Sequence, residues 1–108
     1  LLYCPDLSGK LHCLDAKTGE VHYVFDTGTE TWGGPLVADG KVLMGTKNHF
    51  WVFAEGKKPE VLSQTRLSTP AYSTPVAANG TLFIMSKKFL WAVAKDANAD
   101  AAKTLARE

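Results

Sequence analysis

Short apolar runs separated by turn-forming residues mark this sequence as a succession of strands. Residues 35–38 lead into Asp39-Gly40, residues 41–46 return, Lys47-Asn48 turns again, and residues 49–54 form a third strand. A fourth, residues 61–66, follows the break at residues 56–59. Asp-Gly between apolar runs is a strong type I′ hairpin signal, because both central residues of that turn need positive φ. The strand cores Val42-Leu43-Met44 and Leu82-Phe83-Ile84-Met85 are almost continuously apolar, whereas a sheet with one wet face alternates apolar with polar. Both faces of these sheets are therefore expected to be covered.

The pattern repeats. Residues 32–53 (WGGPLVADGKVLMGTKNHFWVF) align without a gap on residues 72–93 (YSTPVAANGTLFIMSKKFLWAV) at an offset of 40, with Pro35, Ala38, Gly40, Lys47 and Trp51 recurring as Pro75, Ala78, Gly80, Lys87 and Trp91. Asn79-Gly80 stands where Asp39-Gly40 stands, so turn chemistry recurs along with identities. The second unit has strands at 75–78, 81–86 and 89–94, with no fourth strand after them. Upstream, residues 1–4, 10–15 and 21–25 supply the second, third and fourth strands of a unit whose first is missing. Two-residue turns predict Val37 opposite Val42, Met44 opposite Trp51, Val76 opposite Phe83 and Ile84 opposite Trp91. A period near 40 residues with four short strands per unit is the signature of β-propeller blades, whose sheets stack face to face.

The expected fold class is thus all-β: four-stranded antiparallel blades, roughly two and a half of them, spanning about residues 1–25, 32–66 and 72–94. Starting at second-strand level and stopping at third-strand level suits the C-terminal portion of a propeller whose last blade takes its outer strand from a distant N-terminus, a closure that hides sheet edges. Residues 95–108 read as a polar, alanine-rich tail.

Residues 13–23 (CLDAKTGEVHY) resemble the docking motif of PQQ-like, BamB-like propellers, alanine-x-aspartate-x-x-threonine-glycine followed by a tryptophan. Asp15, Thr18 and Gly19 match; Cys13 stands where a small alanine is usual and Tyr23 where tryptophan is usual, which implies a softened interblade dock. Glu55-Gly56-Lys57 is the nearest trace of the threonine-glycine element in the later units. Without the family, Asp15 accepts N–H bonds within its own turn and Gly19 supplies positive φ, a structural role for an acidic residue. The resemblance implies part of a seven- or eight-bladed propeller, periplasmic or otherwise extracytoplasmic, serving as a non-catalytic scaffold or binding module. Its enzyme alternative is a PQQ-dependent dehydrogenase, with an adjacent-cysteine disulfide, a calcium site of Glu, Asn and Asp, and a catalytic Asp. Cys4 and Cys13 are not adjacent, so a quinone site would have to come from upstream blades.

Composition narrows the partners. Twelve Lys plus Arg against 11 Asp plus Glu give a formal charge of +1, too little to concentrate phosphate backbones, and no apolar run reaches the roughly 20 residues of a membrane span. His12, His22 and His49 are scattered without metal-ligand spacing, and Ser8, Ser68 and Ser73 lack a nucleophile elbow. Cys4 and Cys13 flank a turn: a bridge needs directly opposed, same-face positions, and otherwise they are small apolar side chains. Asn79-Gly80-Thr81 fits a glycosylation sequon, but the hairpin explains Asn-Gly fully.

The expected partners are a protein or the remaining blades, with self-association when the stacking faces stand bare. The loops entering each first strand and the turns joining second to third strands emerge on one side, so Trp32, Lys47, Asn48, Tyr72, Lys87 and Lys88 form a candidate interaction face. In the competing reading Trp32 and Tyr72 pack between blades and the lysines only solvate their turns.

Overall fold

Two dipeptides set the register of the hairpins that open the repeated units. Asp39 and Gly40 have φ of 52° and 70°, and Asn79 and Gly80 have 52° and 74°. That pair of positive values defines a type I′ turn, and its twist matches the strands it joins. Strand β4 (Leu36–Ala38) accordingly pairs with β5 (Lys41–Gly45) with Val37 opposite Val42, and β8 (Val76–Ala78) with β9 (Thr81–Met85) with Val76 opposite Phe83. Strand β6 (His49–Ala54) follows β5 with Met44 opposite Trp51, and β10 (Phe89–Ala94) follows β9 with Ile84 opposite Trp91. All four expected pairings are present.

The computed structural model describes residues 1–94 and, as backbone, residues 103–106. It is all-β, with three small antiparallel sheets and no helix among the described residues. The first sheet joins β1 (Leu2–Pro5), β2 (Lys10–Leu14) and β3 (Val21–Asp26) in that order. The second runs β4-β5-β6-β7, with β7 spanning Val61–Arg66. The third runs β8-β9-β10-β11. No helix long and apolar enough to cross a membrane occurs among the described residues.

Strand β11 (Lys103–Ala106) corrects the sequence reading, which placed no fourth strand after residue 94. It lies antiparallel to β10, with Phe89 opposite Ala106 and Ala92 opposite Lys103. An unpaired β10 edge would expose a row of N–H and C=O groups, and backbone pairing satisfies them with little demand on side-chain pattern. The rest of the expected 95–108 tail lies outside the described residues.

The first sheet repeats the geometry of the second, minus its first strand. Pro5 faces Leu11 next to the β1–β2 turn as Gly45 faces Phe50 next to the β5–β6 turn, and the register shifts at Cys13/Leu14 in β2–β3 and at Val52/Phe53 in β6–β7. Both shifts fall two residues past the equivalent positions Leu11 and Phe50. The shared bulge marks the first sheet as a copy of the same unit where sequence identity does not.

Strand periodicity sorts the side chains into faces. Val42, Met44, Trp51 and Phe53 of the second sheet pack against Tyr3, Leu11, Cys13 and Tyr23 of the first. The alternate residues Leu43 and Phe50 pack against Ala71 and Ile84 on the third-sheet side. The continuous apolar run at Val42-Leu43-Met44 thus has a neighbour on each face, as parallel-like burial of an antiparallel sheet requires. Phe25 sets its edge on Trp51 at 5.5 Å and on Phe53 at 5.1 Å, and Trp51 stacks on Phe53 at 5.7 Å. The outward faces of the end sheets expose apolar side chains: Leu2 is 49% exposed on the first, beside His12 and Lys10, and Val76 56% and Met85 47% on the third.

Candidate recognition face

The residues carrying the family resemblance form a turn and part of an intersheet contact. Asp15 Oδ1 accepts the N–H groups of Lys17 (2.8 Å) and Thr18 (2.9 Å), and these bonds hold its carboxyl below the usual carboxylate range, Thr18 contributing most. Gly19, at φ 78°, donates to the Asp15 carbonyl at 2.9 Å, and Thr18 Oγ1 accepts the Glu20 N–H at 3.2 Å. Cys13 and Tyr23 lie opposite one another on β2 and β3, both buried against the second sheet. Burial pushes the Tyr23 phenol up to about 12, and its hydroxyl has no hydrogen-bond partner among the described residues.

Tyr3 is the anchor that sequence reasoning missed. Its hydroxyl accepts the Gly56 N–H at 2.8 Å and donates to the Gly56 carbonyl at 3.2 Å, tying the first sheet to the β6–β7 turn of the second. Cys13 Sγ donates to the same carbonyl at 3.6 Å. A contact between residues 53 apart leaves no local signal; only the trace at Glu55-Gly56-Lys57 hinted that this turn matters.

The loops entering β4 and β8 and the turns joining β5 to β6 and β9 to β10 do share one end of the stack. The Lys47 N–H donates to the Glu30 carbonyl at 3.0 Å, and forty residues on the Lys87 N–H donates to the Pro70 carbonyl, also at 3.0 Å. Thr31 Oγ1 donates to the Gly45 carbonyl at 2.6 Å, and Asn48 Oδ1 accepts from Thr29 Oγ1 at 3.1 Å. Lys88 donates its N–H to Ser86 Oγ at 3.3 Å. Main-chain bonds therefore fix where these turns sit, and the Lys47, Lys87 and Lys88 side chains are exposed.

Across this end the two loops meet. Trp32 rests edge-on against Tyr72, ring centroids 5.9 Å apart and planes at 62°, while 62% of Trp32 stays exposed. The Tyr72 hydroxyl donates to Glu30 Oε1 at 3.1 Å; burial, and secondarily that carboxylate, raise its phenol. Gly33 permits the approach, since a Cβ there would sit 2.6 Å from the Ser73 backbone, and Gly34 N–H donates to Thr74 Oγ1 at 2.9 Å. Glu30, absent from the sequence-level candidates, is the residue that links Lys47 on one side to Tyr72 on the other.

The remaining polar candidates are local. His12 Nε2 lies 2.9 Å from Asp6 Oδ2, and Ser8 Oγ donates to Asp6 Oδ1 at 2.6 Å. The His12 bond, then that from Ser8, draw the Asp6 carboxyl well below its usual range. The serine bonds the aspartate rather than the imidazole, which is the geometry of a pinned turn and not of a nucleophile with its base. Cys4 faces His12 and Cys13 faces Tyr3 in the β1–β2 register, so the two free thiols lie on opposite faces of one sheet. No three His, Cys, Asp or Glu side chains converge among the described residues. These residues do not fit the disulfide and calcium ligands a quinone enzyme would need.

No family model matches the sequence, and no curated protein matches it either.

Proposed function

We propose that this chain is part of a β-propeller of the PQQ-like, BamB-like kind and acts as a non-catalytic scaffold that binds protein partners outside the cytoplasm. Support for the architecture comes from three repeated meanders stacked face to face, the first and second bulged at the same place. Support for binding rests on one observation: Trp32, mostly exposed, is braced by Tyr72 at the end of the stack where Lys47 and Lys87 project. A large aromatic held on a rigid scaffold loses little entropy on docking, and flanking cations favour an acidic surface. The bare outer faces of the first and third sheets are the second binding element. They take a further sheet of the same repeat, and that sheet comes from another copy when the 108-residue chain stands alone.

An acidic peptide carrying one leucine is the probe for the loop face. Titrating it should quench the emission of Trp32, with affinity falling as salt rises. The pair Lys47→Glu and Lys87→Glu should weaken binding by about tenfold or more and flatten the salt dependence, with the melting temperature nearly unchanged because both side chains are solvated. Unchanged affinity in that variant, or Trp32→Ala chiefly unfolding the chain, would remove the loop face from this reading.

A further inference from the structure

The second sheet ends on a bare strand with an apolar cleft beside it. Strand β7 pairs with β6 on one side, and among the described residues no strand pairs with its other side. All six of its residues are exposed, and from Val61 to Thr65 it carries neither a charge nor a proline, two of the features that blunt an edge. The Leu67 N–H donates to the Asn48 carbonyl at 2.9 Å, just outside the His49–Arg66 pair. Bonded and unbonded pairs alternate along an antiparallel ladder, so Thr65 and Ser63 turn their N–H and C=O groups to β6 while Gln64 and Arg66 turn theirs to the free edge. The side chains of Thr65 and Ser63 stand opposite Phe50 and Val52, on the face towards the third sheet. On β3 the equivalent places hold Phe25 and Tyr23, and Phe25 packs on Trp51 and Phe53. With short hydroxyl side chains there instead, a cleft of about 460 Å³ remains between the second and third sheets, walled by Phe50, Val52, Ile84 and Trp91 and reaching Thr65 at the edge. On the other face of β7, Arg66 lies opposite His49, with no acidic side chain among the described residues within salt-bridge distance.

We propose that β7 is a docking edge for an extended segment of a partner protein, added antiparallel as a further strand of the second sheet. Gln64 and Arg66 offer the main-chain bonds, in a mode where the ladder supplies affinity and pockets for alternate side chains supply specificity. The register then specifies the partner. Its residues opposite Thr65 and Ser63 turn to the cleft side, where bulky apolar side chains do from outside what Phe25 and Tyr23 do within the first interface. Its residue opposite Arg66 lies on the other face, where a carboxylate gains an opposite charge across the strands. Along an antiparallel partner the pattern is acidic, bulky apolar, any residue, bulky apolar. Nothing in this site depends on the loop face or on blade number.

The test titrates the end-blocked peptide GSEFTLSG into the full chain by calorimetry, in about 0.3 M salt so that distant charges are screened. Saturable one-to-one binding is expected. Gln64→Pro should abolish it: the lost N–H points away from β6, so the sheet keeps its own bonds and the melting temperature falls little. N-methylation of the peptide threonine, which faces Gln64, should also abolish binding, whereas N-methylation of its phenylalanine, whose amide turns to solvent, should leave it nearly unchanged. That pair of peptides decides the matter should Gln64→Pro fail to fold. Thr65→Phe fills the cleft from β7 itself and should weaken binding at least about tenfold, and lysine in place of the peptide glutamate should weaken it about threefold or more. Lys47→Glu with Lys87→Glu should bind the peptide as the parent does, so this reading and that of the loop face fail separately. Absence of saturable binding, full binding in a folded Gln64→Pro, equal loss from the two N-methyl peptides, or loss of binding in the double lysine variant would each overturn the proposal. A fall in the mass of chain assemblies on adding the peptide would also overturn it, because a second copy would then be the occupant of β7.

Discussion

Replacing Phe53 by alanine is expected to destabilise the chain by about 3–5 kcal/mol, the range for truncating a buried aromatic. Phe53 is fully buried, stacked on Trp51, struck edge-on by Phe25 and opposite the fully buried Val42. It is thus a side chain through which the first and second sheets share one core, and truncation leaves a cavity between Phe25 and Trp51. Total stabilities of small domains are about 5–15 kcal/mol, so the loss removes a large part of what is available. Phe53→Leu keeps most of the volume and should cost less than half as much. Equilibrium urea unfolding at one fixed protein concentration measures both, since association would otherwise shift the midpoint. A loss below about 1 kcal/mol for Phe53→Ala would mean that the two sheets do not share this core.

Gly9→Ala is the second substitution expected to have a large effect, and Gly28→Ala is its control. Both glycines have left-handed φ, 95° and 84°, and a side chain there costs about 1–2 kcal/mol for conformation alone. A Cβ on Gly28 meets nothing within 4 Å, whereas one on Gly9 would overlap the Thr29 backbone carbonyl. Gly9 also offers its carbonyl to the Thr27 N–H at 3.0 Å and to Thr27 Oγ1 at 2.6 Å. The alanine therefore pushes away the loop that leads to Glu30 and Trp32. Gly28→Ala should lower stability by about the conformational cost, and Gly9→Ala by at least about twice that, with a shifted Trp32 emission. Equal effects of the two would show that the loop does not press on Gly9.

Much of this geometry was legible in the sequence because its cues are local. Asp39-Gly40 and Asn79-Gly80 dictate the turn, the turn dictates the register, and the register decides which of Val42, Leu43 and Met44 faces each neighbour. The loop face was legible for the same reason, since chain connectivity alone brings residue 32 near residue 47 and residue 72 near residue 87. Contacts made by the backbone or across long separations were not. The Glu30 and Pro70 carbonyls that hold the two lysine turns belong to residues of unremarkable type, and Tyr3 finds Gly56 only once two sheets have stacked. Strand β11 was missed because its pairing is with backbone and its sequence, Lys-Thr-Leu-Ala, carries neither turn signal nor apolar run. The cleft at Thr65 was hidden for a different reason: a polar β7 reads as a solvated edge strand until its register is compared with that of β3.

Sedimentation velocity on two single variants, separately and mixed, puts the stacked-repeat reading to its most direct test. The outer face of the third sheet, with Met85 and Val76, holds the positions by which the second sheet receives the third; the outer face of the first, with Leu2, holds those by which the second meets the first. The two faces are complementary rather than identical, so copies should add head to tail. The parent chain is expected to grow in mass with concentration. Leu2→Glu and Met85→Glu should each abolish that growth, because each charge would be buried unpaired at the contact. Mixed in equal amounts, they should form a one-to-one dimer and stop there, since each variant retains one intact face of opposite kind. A parent chain that stays monomeric at every concentration and melts cooperatively, or two variants that fail to pair when mixed, would contradict the stacked-repeat reading.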